Sequence, residues 1–309
     1  MSVLLGLDTS NYTTSVAVYD TVTGQMQQYK QLLPVAAGER GLRQSDAVFH
    51  HTRQLPELLE QALHALPGPI GAIGVSTRPT QEDGSYMPCF LVGQGAARSL
   101  AAALGVPLHT FSHQQGHVAA ALFGSGSLAL RGAPFAAFHV SGGTTQALLA
   151  EPEGNIFRCR VVAESRDLKA GQLIDRVGVR LGLPFPAGPA LEQLAAGADK
   201  EFTVRPSMEG EHCHLSGVEN QCLRLLEQGE TPANVALFCL RSVQAALDGM
   251  TRALRARLGD LPLVYAGGVM SNRLLREYFE KTYGARFAEP AFSSDNAAGI
   301  AVLTALQAV

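Results

Sequence analysis

The stretch Val3-Leu-Leu-Gly-Leu-Asp8-Thr-Ser-Asn11 decides the fold, because a short apolar run ends abruptly in a polar turn. A second apolar run, Ser15–Tyr19, follows the turn, and two such runs around a polar turn predict a β-hairpin. Gly24 then turns the chain toward a third strand near Met26–Gln31. The chain therefore starts with a three-stranded meander.

The same pattern returns in the middle of the chain. Phe135–Val140 is apolar and ends in Ser141-Gly-Gly-Thr-Thr, after which strands are predicted at Gln146–Ala150 and Phe157–Val162. Two meanders, each followed by helix–strand units, are the plan of the α/β actin-like ATPase (ASKHA) fold, in which two ribonuclease H-like lobes enclose a nucleotide cleft. Periodicity alone leaves a generic doubly wound α/β sheet as an equal alternative.

The segments after each meander show helical spacing or short apolar runs. The predicted helices are His51–Leu66, Val92–Leu104, Gly171–Leu181, Pro189–Ala196, Asn234–Leu258, Asn272–Tyr283 and Asn296–Leu306. Further strands are predicted at Ile70–Val75, Val106–His109 and Pro262–Ala266. We assign residues 1–112 with 290–309 to a first lobe and 113–289 to a second.

The composition limits the classes of function. The chain has 309 residues and a formal net charge of −3, whereas a protein that grips nucleic acid alone usually has a basic excess. We therefore expect that partner proteins help to hold any RNA substrate. Five cysteines without CxxC spacing argue against a disulfide framework or a cysteine zinc site. We expect a cytoplasmic protein with no signal peptide and no membrane span.

Three turns have the composition of phosphate-binding turns. Asp8, Ser10 and Asn11 follow the first buried strand, where a carboxylate could hold a phosphate-bound metal and hydroxyls could meet oxygens. An ordinary Asx turn explains the same residues. The paired glycines of the 141–144 turn let backbone N–H groups approach an anion. Gly267-Gly268 precedes a predicted helix, which Asn272 could cap.

A pair of histidines suggests a metal site. His113 and His117 share one face of a predicted helix at the spacing that two imidazole ligands need, and no glutamate completes an HExxH protease motif. Two surface or capping histidines are the alternative explanation. Asp295, just before the last predicted helix, could supply a carboxylate as third ligand, which would leave coordination positions open for a substrate.

In this order, the motifs make the chain resemble the TsaD/Gcp family, whose archaeal and eukaryotic relatives belong to the KEOPS complex. The resemblance runs essentially end to end. The matching segments are Leu4–Ser10, His113–His117, Val140–Gln146, Gly171–Val177, Leu181–Pro189, Leu215–Gly217, Ala266–Asn272 and Ser294–Ala298.

The resemblance implies a function and a set of binding residues. Family members transfer a threonylcarbamoyl group from its adenylate to an adenosine of tRNA. By position, His113, His117 and Asp295 would hold one divalent or ferric metal ion, iron or zinc. The adenylate or adenine nucleotide would lie against Val140, Ser141, Gly142, Gly143, Thr144, Asp175, Gly188 and Asn272. Asp8, Ser10 and Asn11 would lie near its phosphate or an associated Mg²⁺. No catalytic side chain is assigned.

The sequence departs from the family pattern in four segments. Asn11–Thr14 replaces a cysteine and acidic residues, Ser76–Gly84 replaces a Gly-Pro-Gly loop, Thr144 replaces a histidine and Leu42–Asp46 replaces a Val-Pro-Glu segment. These departures indicate a divergent paralogue. Two alternatives therefore stay open: a nucleotide-binding partner subunit in a homo- or heterodimer, and a carbamoyltransferase with a non-tRNA acceptor. A sugar- or acetate-kinase-like phosphotransferase is less consistent with the four departures, because it would need an intact phosphate-binding loop.

Overall fold

The structure, a computed structural model, describes residues 3–10, 12–34, 42–293 and 297–308. Its strands are β1 (Val3–Ser10), β2 (Thr13–Asp20), β3 (Met26–Leu32), β4 (Ile70–Arg78), β5 (Leu108–Ser112), β6 (Phe135–Val140), β7 (Thr145–Glu153), β8 (Ile156–Glu164), β9 (Ser207–Glu209), β10 (His212–His214), β11 (Leu263–Ala266) and β12 (Arg286–Phe287).

The helices follow the strands of each half. They are α1 (Gln44–His64), α2 (Phe90–Leu104), α3 (His113–Gly124), α4 (Ala170–Arg180), α5 (Gly188–Ala195), α6 (Ser216–Glu227), α7 (Pro232–Leu258), α8 (Arg273–Tyr283), α9 (Pro290–Ser293) and α10 (Ala298–Gln307), with 3₁₀ turns at Leu128–Gly132 and Gly268–Ser271. Within the described ranges, none of these helices has the length and apolar character needed to cross a membrane.

The chain divides into two compact units. The first comprises Met1–Ala133, Ala150–Arg160 and Ala291–Val309, and the second comprises Pro134–Leu149 and Val161–Pro290. Contacts therefore group helix α3 with the first unit, although the lobe boundary was placed before residue 113. The assignment of lobes at 1–112 with 290–309 and 113–289 stays a prediction.

The first unit is built on a five-stranded mixed sheet in the order β3-β2-β1-β4-β5. β1 pairs antiparallel with β2 and parallel with β4, and β4 pairs parallel with β5. Because side chains alternate along a strand, Leu5 and Leu7 pack with α1 and α2 on one face. Gly6 and Asp8 alternate with these leucines on the opposite face of the strand, and there Gly6 packs closely on Ala301 of α10.

The second unit repeats this strand order. Its sheet runs β12-β11-β6-β7-β8, so the first strand of the unit again lies between its second strand and a later parallel strand. The buried helix α7 packs on this core with α4, α5 and α6. Phe138 of β6 stacks on Tyr265 of β11 with ring centroids 4.6 Å apart. The repeat confirms the actin-like ATPase fold and excludes the generic doubly wound sheet.

Candidate metal centre and nucleotide cavity

The carboxyl ends of three strands of the first sheet bring distant residues together. Asp8 lies near the end of β1, Ser76 near the end of the adjacent β4, and His113 follows β5 directly. Since these strands are parallel, their carboxyl ends lie along one edge, which is the usual position of sites in α/β proteins. Residues separated by 105 positions in the sequence thereby meet.

Asp8 is the buried acceptor at this edge. Its carboxylate is fully buried and accepts hydrogen bonds from Ser10 Oγ at 2.9 Å and from Ser76 Oγ. Nδ1 of His113 lies 3.0 Å from Asp8 Oδ2 and 3.1 Å from Asp8 Oδ1. A buried carboxylate needs such donors, and these three fix its orientation. Asn11, assigned to the same site, lies outside the described residues.

Helix α3 brings two imidazoles together edge to face, with ring centroids 4.3 Å apart and an angle of 75° between the ring planes. Ser112 caps the helix by accepting a hydrogen bond from the backbone N–H of Gln115, whose side chain reciprocates. One turn apart, His113 and His117 place their Nε2 atoms 2.8 Å from each other. His117 is buried, and the side chain of His113 is 20% exposed.

The contact with Asp8 decides which nitrogen of His113 can act as a metal ligand. A carboxylate oxygen accepts, so Nδ1 of His113 carries the proton and donates it to Asp8. In the neutral ring the lone pair is then on Nε2, the atom that faces His117. A carboxylate behind an imidazole in this manner is the usual support of a metal-binding histidine.

The pair alone does not complete a metal site. Among the described residues, no group of three or more His, Cys, Asp or Glu side chains could hold a metal ion. Asp295, the expected third ligand, lies outside the described residues. Helix α10, which starts at Ala298, packs closely on α3: a Cβ at Gly299 would overlap the carbonyl oxygen of Gly116.

The glycine turn of the second unit is closed by its own hydrogen bonds. The backbone N–H of Ser141 donates to the carbonyl oxygen of Thr144 at 2.7 Å, and the N–H of Thr144 donates to Ser141 Oγ. Gly171 of α4 packs so closely that an added Cβ would lie 2.7 Å from the backbone of Gly142. Gly267, with φ of +98°, lies even closer to its neighbour, since an added Cβ would overlap the carbonyl oxygen of Val140.

A cavity of about 660 Å³ opens beside this turn, within the second unit. Of the predicted adenylate contacts, Gly142, Asp175, Gly188 and Asn272 line it. The remaining predicted contacts, Val140, Ser141, Gly143 and Thr144, belong to the adjoining turn and are not part of the lining. Asn272 also caps α8, because its Oδ1 accepts from the N–H of Leu275 at 3.2 Å.

Two acidic side chains give this cavity its polar character. Asp175 accepts from the N–H of Ala187 at 2.8 Å, and burial raises the pKa of its carboxyl. Glu192 accepts from the N–H of Arg273 at 3.0 Å and lines the same cavity. Sequence reasoning missed Glu192, although its position one helical turn after Gly188 on α5 would have indicated it.

His51 is a second residue that sequence reasoning did not place. It is fully buried in α1, with Nδ1 2.7 Å from Thr14 Oγ1. Burial lowers the pKa of the imidazole to about 4, despite the opposing charge of Asp8. Within the described residues, its Nε2 has no hydrogen-bond partner.

Comparison with known proteins decides the family. Residues 35–302 match the family described as TsaD, tRNA N6-adenosine threonylcarbamoyltransferase. The chain belongs to the TsaD family. It is 35% identical over 277 residues to the tRNA N6-adenosine threonylcarbamoyltransferase of Methanopyrus kandleri, covering 84% of this chain and 75% of that protein. It is 32% identical to the enzyme of the same name from Aromatoleum aromaticum, covering 99% and 91%. Membership of TsaD makes the chain an acyltransferase.

Solved structures share the fold of this TsaD member. Component A of the Acidaminococcus fermentans (R)-2-hydroxyglutaryl-CoA dehydratase aligns with a TM-score of 0.58 and 17% identity, covering 100% of this chain and 99% of that chain. Full-length HypF in its phosphate- and nucleotide-bound form aligns with a TM-score of 0.61 and 13% identity, covering 99% and 55%. At these identities the similarity concerns the fold alone.

Proposed function

We propose that this protein transfers a threonylcarbamoyl group from its adenylate to an adenosine of tRNA, with a metal ion bound by His113, His117 and Asp295. The observation that carries the proposal is the convergence of the two Nε2 atoms, 2.8 Å apart, on a helix supported by Asp8. Family membership supplies the reaction class, and this geometry supplies a reason to expect a metal.

The donor set fits a metal such as iron or zinc. In an octahedral iron site, two metal–nitrogen bonds of about 2.1 Å meet at a right angle and place the nitrogens about 3.0 Å apart, whereas tetrahedral zinc needs about 3.4 Å. The two imidazoles need only a small adjustment to reach the first of these separations. Two imidazoles and one carboxylate suit iron or zinc and leave positions open for a substrate. When bound, the metal would orient the carbamoyl group and polarise its oxygen.

The fit of Asp295 rests on its place in the chain. Asp295 precedes helix α10 by three residues, and Gly299 of that helix touches Gly116, which lies between the two histidines in sequence. A segment of three residues spans at most about 10 Å, which limits how far Asp295 can lie from the start of α10. This proximity supports a carboxylate ligand from Asp295.

The cavity of the second unit suits the adenylate. The glycine turn at 141–144 offers backbone N–H groups to a phosphate, and Asp175 and Glu192 offer carboxylate acceptors to ribose hydroxyls. An acyl adenylate is already activated, so the enzyme needs no nucleophile of its own. The acceptor amine attacks the carbamoyl carbon and loses one proton to water, the bond from that carbon to the phosphate oxygen breaks, and AMP leaves with that electron pair. The protein contributes by alignment.

The acceptor is the part of the proposal that the altered segments affect most. The segment 76–84 is ordered by its own contacts: Ser76 donates to Asp8, and Gln81 Oε1 accepts from the N–H of Cys159 at 2.7 Å. The protein has a net charge of −3 and therefore lacks the basic excess that attracts nucleic acid. We propose that partner proteins help it to bind the tRNA. We also propose that the protein works in the cytoplasm.

One experiment separates these possibilities. Purified protein is analysed for metal, titrated with AMP, and then assayed for tRNA modification together with an enzyme that forms the threonylcarbamoyl adenylate. The proposal predicts bound metal, AMP binding and modified adenosine, with modification lost in His113→Ala. Metal and AMP binding without tRNA modification would instead favour a different acceptor or a partner subunit. Binding of neither would overturn the proposal.

A further inference from the structure

We propose that Phe185 forms an aromatic stacking surface for the adenine base at the mouth of the 660 Å³ cavity. Its side chain lines the cavity and is 75% exposed, although Ala187, two residues later, is fully buried. This inference rests on the proposed adenylate site and names the side chain that would hold its base.

The exposure of Phe185 comes from a loop that is fixed on both sides. Before it, the backbone N–H of Leu183 donates to the carbonyl oxygen of Gly178 at 2.9 Å. After it, the N–H of Ala187 donates to Asp175 Oδ1 at 2.8 Å. Since both anchors lie on helix α4, the loop holds the side chain of Phe185 in an exposed position. Leaving this apolar side chain in water costs about 25 cal/mol for each Å² that stays exposed.

The polar groups that line the cavity indicate where the phosphate, the ribose and the base of the adenylate would lie. Backbone N–H groups at Gly142 suit the phosphate, and the carboxylates of Asp175 and Glu192 suit ribose hydroxyls. A purine then needs an apolar surface, and Phe185 supplies a flat aromatic face. Stacking of a base on an aromatic side chain contributes about 1–3 kcal/mol, judged from alanine substitution.

The absence of tryptophan from the sequence gives a direct test. Phe185→Trp introduces one indole at the cavity, and Phe49→Trp introduces one at an exposed phenylalanine of helix α1 in the other unit. We expect AMP to quench the fluorescence of Phe185→Trp with the dissociation constant that calorimetry gives, and to leave Phe49→Trp unchanged. AMP that binds Phe185→Trp without changing its fluorescence would overturn the inference.

Affinity measurements add a second readout. Phe185→Ala should weaken AMP binding about fivefold or more, and Phe185→Leu, which keeps apolar bulk without a flat face, should also weaken it. Phe49→Ala is the control. Full affinity in Phe185→Leu would contradict stacking. If the wild-type protein binds no AMP at all, the proposed function fails instead, so the two failures are distinguishable.

Discussion

Gly299 of helix α10 packs backbone against backbone on Gly116 of helix α3, between the two histidines of the candidate metal centre. A Cβ at Gly299 would overlap the carbonyl oxygen of Gly116, and a carbonyl in a helix cannot move aside without breaking its hydrogen bonds. The contact therefore sets the distance between the helix that carries the histidines and the chain segment after Asp295.

Replacing Gly299 with alanine should destabilise the protein and weaken metal binding together. Overpacking of this kind costs about 1–3 kcal/mol or more. Gly95→Ala is the matched control, because Gly95 lies in helix α2 with no atom near its missing Cβ, and alanine there should stabilise by up to about 1 kcal/mol. Chemical denaturation measures the stability of both variants, and elemental analysis measures their bound metal. Equal stability of Gly299→Ala and wild type would show that the two helices are not in contact as described.

His113→Ala and His117→Ala should each abolish stoichiometric metal binding. Each removes one of two facing Nε2 donors, and the remaining ligands bind a metal far more weakly. His109→Ala, at a half-buried histidine of strand β5 that contacts Gln307, is the control. Elemental analysis of purified proteins gives the readout. AMP binding should persist in all three variants, because the cavity lies in the other unit. Retention of metal in His113→Ala would rule out this ligand.

Asp8→Asn should lower metal affinity by about 10- to 100-fold without removing the site. The amide keeps the size of the carboxylate but no longer fixes Nδ1 of His113 as the protonated nitrogen. Asp20→Asn, at the surface-exposed end of the same hairpin, is the control. Competition with a chelator of known affinity measures the change. An unaltered metal affinity in Asp8→Asn would mean that Asp8 only supports the fold.

His51 should make the folded state sensitive to acid. Its pKa is about 4 in the folded protein and 6.5 in the reference state, so the unfolded chain binds the extra proton first. Stability is complete above pH 6.5 and is lost as the pH falls toward 4, by at most about 1.4 kcal/mol per pH unit for one proton. In His51→Gln this slope should disappear, and in His64→Gln, at an exposed histidine of the same helix, it should remain. Urea unfolding across this range tests the prediction, and parallel curves for wild type and His51→Gln would refute it.

The strands and most helices could be predicted because apolar periodicity records which face is buried. Helix α1 is an exception: it was predicted from His51 but begins at Gln44, where polar residues dominate its first turn. Helix α6 and the small hairpin β9–β10 were missed, since Cys222 is the only buried residue of α6 and short strands carry little pattern.

The site was predictable where a motif is local and unpredictable where the sheet creates it. The spacing of His113 and His117 predicted that they share one face of a helix, and on α3 their Nε2 atoms lie 2.8 Å apart. The contact between Asp8 and His113 depends on the register of three parallel strands, which a single sequence does not reveal. The exposure of Phe185 depends likewise on loop anchors on helix α4.

The most direct test is a crystal structure of the purified protein with anomalous data collected on both sides of the iron and zinc absorption edges. The account predicts one anomalous peak per chain, within about 2.2 Å of His113 Nε2, His117 Nε2 and a carboxylate oxygen of Asp295. A metal bound elsewhere, or an Asp295 carboxylate that does not reach the metal at the two histidines, would contradict it.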